Sequence, residues 1–146
     1  MKILFPTLSA IGKSFFSRAR SAHLRLGRRG ENVAAKFLEL KGYSVLSRNV
    51  RNHRGEIDLI ALDGATIVFV EVKTRRASSH RHPSTNLSPA QRKRNSAAAR
   101  YLLKHYLHGA PVSYRFDLIE IKLSRFRVTE LYHWQNIPSP AWGKRY

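Results

Sequence analysis

Between residues 30 and 41 the apolar positions recur with helical spacing. Val33, Ala34, Ala35, Phe37, Leu38 and Leu40 form a wide arc, and Asn32, Lys36 and Glu39 occupy the other side. The pattern predicts a helix, with Gly42 in the left-handed position that ends many helices. The rhythm then shortens, and residues 43–50, 56–62 and 66–74 read as strands. The third carries Ile67, Val68, Phe69, Val70 and Val72, a continuous run of the kind buried on both faces of a sheet. Asp63-Gly64 between the second and third is a two-residue hairpin signal. Residues 75–87 are polar and basic and predict a loop, which carries His80 and His82; isolated histidines in such a loop are more often solvated than metal-bound. Ser88-Pro89 reads as an N-cap with proline at the first helical position. The helix it opens runs to about Leu107 and stops at Gly109, with Ala98, Tyr101, Leu102 and His105 inward and Gln91 and Asn95 extending that stripe toward the N-terminus. Residues 112–122 and 126–133 predict two further strands, and the tail from Asn136, with Pro138 and Pro140, is irregular.

The order of helix, three strands, helix and strand predicts an α/β fold. A mixed β-sheet begins as an antiparallel meander, closes with a crossover and is flanked by helices. Residues 27–135 form the domain, preceded by a basic N-terminal arm (1–26) and followed by the tail (136–146). The arm reads as partly helical and outside the core. A mitochondrial address is the alternative; Pro6 and Lys13 interrupt it as a secretory signal. Phe15, Phe16 and Leu24 beside Arg18, Arg20 and Arg25 would also suit a helix lying on a membrane surface. No apolar run reaches the roughly 18 residues of a membrane span, so integral membrane association is not expected.

Charge changes this picture more than size does. The 146 residues hold 27 Lys and Arg against 9 Asp and Glu, a formal net charge of +18. Such a surplus repels itself unless a polyanion neutralises it, which points to nucleic acid, DNA first and RNA second. Cys is absent, which rules out disulfides, thiolate zinc sites and a cysteine nucleophile; it fits a reducing compartment, and a cytoplasmic protein is expected. No acid precedes Glu31 and none lies between Glu71 and Asp117. The acids therefore gather between two basic tracts, and Arg28, Arg29, Arg75, Arg76, Arg92 and Lys93 are the expected phosphate contacts.

With Asp63-Gly64 as the turn, Leu62 faces Ala65, Asp58 faces Phe69 and Glu56 faces Glu71. Alternation then projects Glu56, Asp58, Glu71 and Lys73 from one side of the hairpin. Acids so placed repel one another and are costly to desolvate, unless Arg51, Arg54 and Lys73 neutralise them in ion pairs or a divalent cation binds. Oxygen ligands suit Mg²⁺ or Mn²⁺, and Asp58, Glu71 and Glu56 are the expected metal ligands. Lys73 on the same face can contact a scissile phosphate and stabilise developing charge, so the set suits metal-assisted phosphodiester hydrolysis. Glu31 shares its helical line with Ala34, Ala35 and Leu38 and so points toward the core side; the alternative is a first-turn acid favouring the helix dipole.

Asp58 followed by Glu71-Val72-Lys73, in this order of elements, resembles the PD-(D/E)xK, or restriction-endonuclease-like, superfamily. Gly30-Glu31-Asn32-Val33-Ala34, Gly42-Tyr43, Asn49-Val50-Arg51, the segment from Gly55 to Ala61 and that from Phe69 to Arg75 look like one member, the YraN-like bacterial family. The resemblance covers about residues 27–140, and its two strand motifs together are specific. It implies a restriction-endonuclease-like core (α-β-β-β-α-β) similar to that of archaeal Holliday-junction resolvases. It also implies catalytic and metal-binding roles that fall on Glu31, Asp58, Glu71 and Lys73. Gln91 sits where some members carry a polar residue on the second helix. The acid motif departs from the superfamily pattern in starting with Glu56-Ile57 instead of Pro-Asp, and the N-terminal arm lies outside the match.

The expectation is a Mg²⁺- or Mn²⁺-dependent endonuclease acting on DNA, branched or damaged structures included. Nucleases of the superfamily that cut both strands often dimerise, so a homodimer is compatible with it. The alternatives are a nucleic-acid-binding module with the fold but no cutting activity, and an RNA- or ribosome-associated basic protein, which would leave the acid cluster without a reason.

Overall fold

A computed structural model describes residues 18–80, 87–108, 111–125 and 127–138. The expected arm before Arg18, His82, Gly109, Phe126 and the tail beyond Pro138 lie outside the described residues. In chain order the elements are α1 (Arg18–Leu40), β1 (Ser44–Asn52), β2 (Gly55–Asp63), β3 (Thr66–Arg76), α2 (Pro89–Tyr106), β4 (Tyr114–Leu123) and β5 (Val128–Trp134). The strands form one sheet in the order β1-β2-β3-β4-β5, antiparallel throughout except for the parallel pair β3 and β4. A parallel pair needs a long crossover, and α2 supplies it. The α/β fold with a mixed sheet and flanking helices is thus present. Among the described residues no helix is long and apolar enough to cross a membrane.

Each face of the sheet holds its own core. On one side Ala34, Ala35 and Leu38 of α1 meet Leu59, Val68, Val70, Ile119 and Ile121. On the other, Ala98, Ala99 and Leu102 of α2 meet Ile57, Ile60, Ile67, Phe69 and Phe116. β3 is buried from both sides because its odd and even residues serve different helices.

Three expectations are corrected. α1 starts well before Gly30, because Leu26 already packs against the core and Gly30 is a point of contact, not a terminus. A Cβ on Gly30 would lie 1.7 Å from Thr74 Oγ1, so the missing side chain lets the helix touch β3. In the hairpin, Asp63 pairs with Thr66 and Leu62 with Ile67, so Gly64 and Ala65 are the loop residues. Only Gly64, at φ 58°, takes a positive φ there, as a type II′ turn requires at its first central position. The register therefore slips by two residues from that expected, an even shift. His105 is not inward: it is exposed and stacks on Tyr101 at 3.9 Å between ring centroids, while Asn95 and Ala99 take the buried side of α2.

Candidate active site at the fork between β2 and β3

The ladder between β2 and β3 ends at Leu59 and Val70. One step further the register would set Asp58 opposite Glu71, but there the strands part. Strict alternation also fails at this point: Ile57 and Ile60 both join the core beneath α2, although Leu59 faces α1. Across from the break, on β1, Asn49 stands at φ 52° between the pairs Arg48–Leu59 and Val50–Ile57. Asp58 occupies the gap. Its Oδ2 accepts the Val72 backbone N–H at 2.7 Å, taking the place of a strand carbonyl.

Glu71 enters the same gap from β3 and is held from α2. The side-chain amide of Gln91 donates to its Oε1, and Asn95 Nδ2 donates to its Oε2 at 2.8 Å. Gln91 and Asn95 are one helical turn apart and so meet one carboxylate together. The start of that turn is fixed by Ser88, whose Oγ accepts the Gln91 N–H at 3.2 Å, the cap expected from Ser88-Pro89. The cleft around the two acids has a volume of about 410 Å³ and is lined by Arg51, Asn52, Gly55, Glu56, Asp58, Glu71, Gln91, Arg94 and Asn95.

Burial decides the electrostatics. Asp58 is 8% exposed, and desolvation pushes its carboxyl up to about 7, with repulsion from Glu71, Glu31 and Glu56 adding to it and the Val72 N–H opposing it. Burial also raises Glu71, against the pull of Asn95 and Lys73. Two carboxyls so close share their protons as a pair.

The structure brings Asp58 and Glu71 together, with Lys73 near enough for its charge to favour ionised Glu71. Glu31 is half-buried on α1 and reaches Asp58 through space, its charge adding to the repulsion there. Glu56 lines the cleft but is exposed and paired with Arg51 Nε at 2.9 Å, so the shared face read from alternation is not the arrangement of all four side chains. Among the described residues no group of three or more His, Asp or Glu is gathered closely enough to hold a metal ion. The donor chemistry nonetheless suits a hard divalent cation: two carboxyls whose pKa values desolvation raises would be ionised by such an ion. Asp58 and Glu71 are the residues that would hold it.

Of the expected phosphate contacts, Arg28, Arg29, Arg76 and Lys93 are exposed. Arg75 and Arg92 are engaged within the fold. Arg75 Nε meets the buried Glu120 at 3.1 Å, and Arg92 donates to the carbonyls of Leu87 at 3.1 Å and Pro138 at 3.4 Å. Sequence reasoning missed Asn95 and Arg94 as cleft residues. The available signal was a pair of amide side chains, Gln91 and Asn95, on an inward stripe where apolar residues are the rule.

The family described as "Uncharacterised protein family UPF0102" matches residues 30–121. The UPF0102 protein of Geotalea uraniireducens is 41% identical over 118 residues, which cover 80% of this chain and 91% of that one. That of Chlorobaculum parvum is 44% identical over 99 residues, covering 66% and 74% respectively. That of Symbiobacterium thermophilum is 44% identical over 98 residues, covering 67% and 82%.

Proposed function

The chain belongs to the UPF0102 family, and we propose that it is a Mg²⁺- or Mn²⁺-dependent nuclease that hydrolyses phosphodiester bonds of DNA. The observation that carries the reading is the pair of buried Asp58 and half-buried Glu71 in one cleft with Arg51 and Arg94, on a chain of net charge +18. Buried acids that repel one another destabilise a fold unless they serve a ligand, and a phosphate-seeking surface around them names the substrate class. The restriction-endonuclease-like ancestry rests on Asp58 and on Glu71-Val72-Lys73 in this order of elements, within the α-β-β-β-α-β part of the fold.

In this reading Asp58 and Glu71 hold the cation. When bound, the cation supplies Lewis acidity to the scissile phosphate and offsets the charge that develops on it. Lys73, two residues past Glu71 on β3, presents an ammonium to the same phosphate and to the attacking water. Gln91 and Asn95 fix the Glu71 carboxylate so that its oxygens keep one orientation. Arg51 and Arg94 on the walls hold phosphates, and Glu31 adds a negative charge that strengthens cation binding.

The test is a panel of linear, nicked, flapped, four-way and single-stranded DNA with each metal. Wild type is expected to cleave at least one, and Glu71→Ala or Lys73→Ala to lose about 100-fold or more while still binding DNA. Unchanged cleavage by both purified variants would sink the assignment. A second reading, a nucleic-acid binder that does not cut, is favoured by the engagement of both Glu71 oxygens with α2. Binding with a steep salt dependence and no cleavage of any substrate would decide for it.

A further inference from the structure

We propose that Arg25, Arg29, Arg76 and Arg125 form a phosphate-binding pocket on the α1 face of the sheet, separate from the acidic cleft. The four arginines line a cavity of about 630 Å³ together with the apolar Leu26 and Leu123. They come from three places that the fold brings together. Arg25 and Arg29 are one turn apart on α1, Arg76 ends β3, and Arg125 follows β4. No carboxylate lines the cavity, and among the described residues Arg25, Arg29 and Arg76 make no ion pair. Gathering Arg25, Arg29 and Arg76 at one cavity is unfavourable without an anion, and the planar fork of arginine matches phosphate oxygens in pairs.

The walls are set in advance. The Ala77 N–H donates to the Leu123 carbonyl at 2.9 Å, tying the end of β3 to the end of β4, and the Ser79 N–H closes a turn on the Arg76 carbonyl at 2.9 Å. The Ser124 N–H donates to the Arg127 carbonyl at 2.9 Å and its Oγ accepts the Arg127 N–H at 3.1 Å, which shapes the turn carrying Arg125. Gly30, whose bare backbone touches Thr74, brings α1 close enough for Arg29 to share a cavity with Arg76. Such preorganisation lowers the entropy lost on binding. Even residues of β3 serve α1 and Glu71 serves α2, so pocket and cleft lie on opposite faces, roughly 16 Å apart along β3 at ~3.3 Å per residue. The pocket therefore does not depend on the chemistry of the cleft.

The full-length chain, with EDTA present, is titrated with inorganic phosphate while its amide resonances are followed. Saturable shifts at Ala77, Ser78 and Ser124 are expected. The double variant Arg29→Gln/Arg76→Gln should bind about 10-fold more weakly or worse, its fold checked by thermal melting. Lys104→Gln, which removes one exposed cation on α2, should change affinity by less than about 2-fold. Competition by a short oligonucleotide for the same shifts assigns the phosphate to a nucleic-acid backbone; saturation by free phosphate without competition assigns it to a small phosphorylated molecule. Uniform, non-saturating shifts, or an equal loss in Lys104→Gln, overturn the pocket. Absence of cleavage in the DNA panel leaves this result untouched, so the two readings fail separately.

Discussion

Two aspartates are buried in this sheet, and they are treated in opposite ways. Asp117 on β4 is fully enclosed and fully partnered. Arg115 donates to it twice, at 3.0 and 3.3 Å, His133 Nε2 approaches at 2.9 Å, and the Asn136 N–H donates at 2.9 Å. Burial alone would raise its pKa, but these partners outweigh it and hold the carboxyl below the usual carboxylate range. Asp58 has one backbone N–H and three acids within electrostatic reach, and it is pushed up to about 7. Both sites bury charge in a small domain; one is a closed ion-pair network and the other is left short of positive charge. A carboxylate surrounded by donors holds a fold together, whereas one surrounded by other carboxylates is explained by what it receives from outside.

The largest effect that would break this contrast is at Asp117. Asp117→Asn leaves Arg115 and His133 facing a neutral amide, and should lower stability by about 3–5 kcal/mol in urea unfolding at pH 7. A loss no greater than that of an ordinary surface substitution would show that the network is dispensable. Next comes the opposite sign at Asp58. In EDTA, Asp58→Asn is expected to stabilise the protein at pH 8 by up to about 4 kcal/mol, at ~1.4 kcal/mol per pKa unit.

The pH dependences follow from the same shifts. Asp58 is raised from 3.8 to about 7 in the folded state, so its ionisation opposes folding, and stability falls as pH rises between about 4 and about 7. The lowered Asp117 acts in reverse: its contribution is complete above the ordinary carboxylate pKa and is lost as acid protonates the folded form. Melting temperatures across that range should therefore decline toward neutral pH in wild type and decline less in Asp58→Asn. The smallest effects rank the neighbours. Following the Asp58 carboxyl by carbon NMR, Glu71→Gln should lower its pKa most, Glu31→Gln less and Glu56→Gln least. A larger effect from Glu56 than from Glu31 would mean that the exposed acid, not the helix-borne one, is the stronger source of repulsion at Asp58.

Much of this was legible in residue order. The β-branched run at Ile67 to Val72, the Ser88-Pro89 cap and the acids of β2 and β3 located the strands, the second helix and the cleft before any coordinate. The hairpin register was not, because Asp63-Gly64 and Gly64-Ala65 are both acceptable two-residue loops and only backbone geometry separates them. The slip by an even number kept Asp58 and Glu71 in reach of one another. The break in alternation at Asp58 was invisible for a different reason: it is made jointly by β1, β2 and β3, and no single segment encodes it. The Asp117 network was hidden likewise, since Arg115 and Asp117 are near in sequence but His133 arrives from the neighbouring strand and Asn136 from beyond its end.

The hairpin of β2 and β3 has the outline of a wishbone. Its stem is zipped from the Gly64 bend to Leu59, and its prongs diverge where Asp58 wedges against Val72. The bend lies several rungs from the prongs, so insertions at Gly64-Ala65 can be absorbed without altering the gap, whereas lengthening the wedge by one methylene, to Glu, resets the aperture directly.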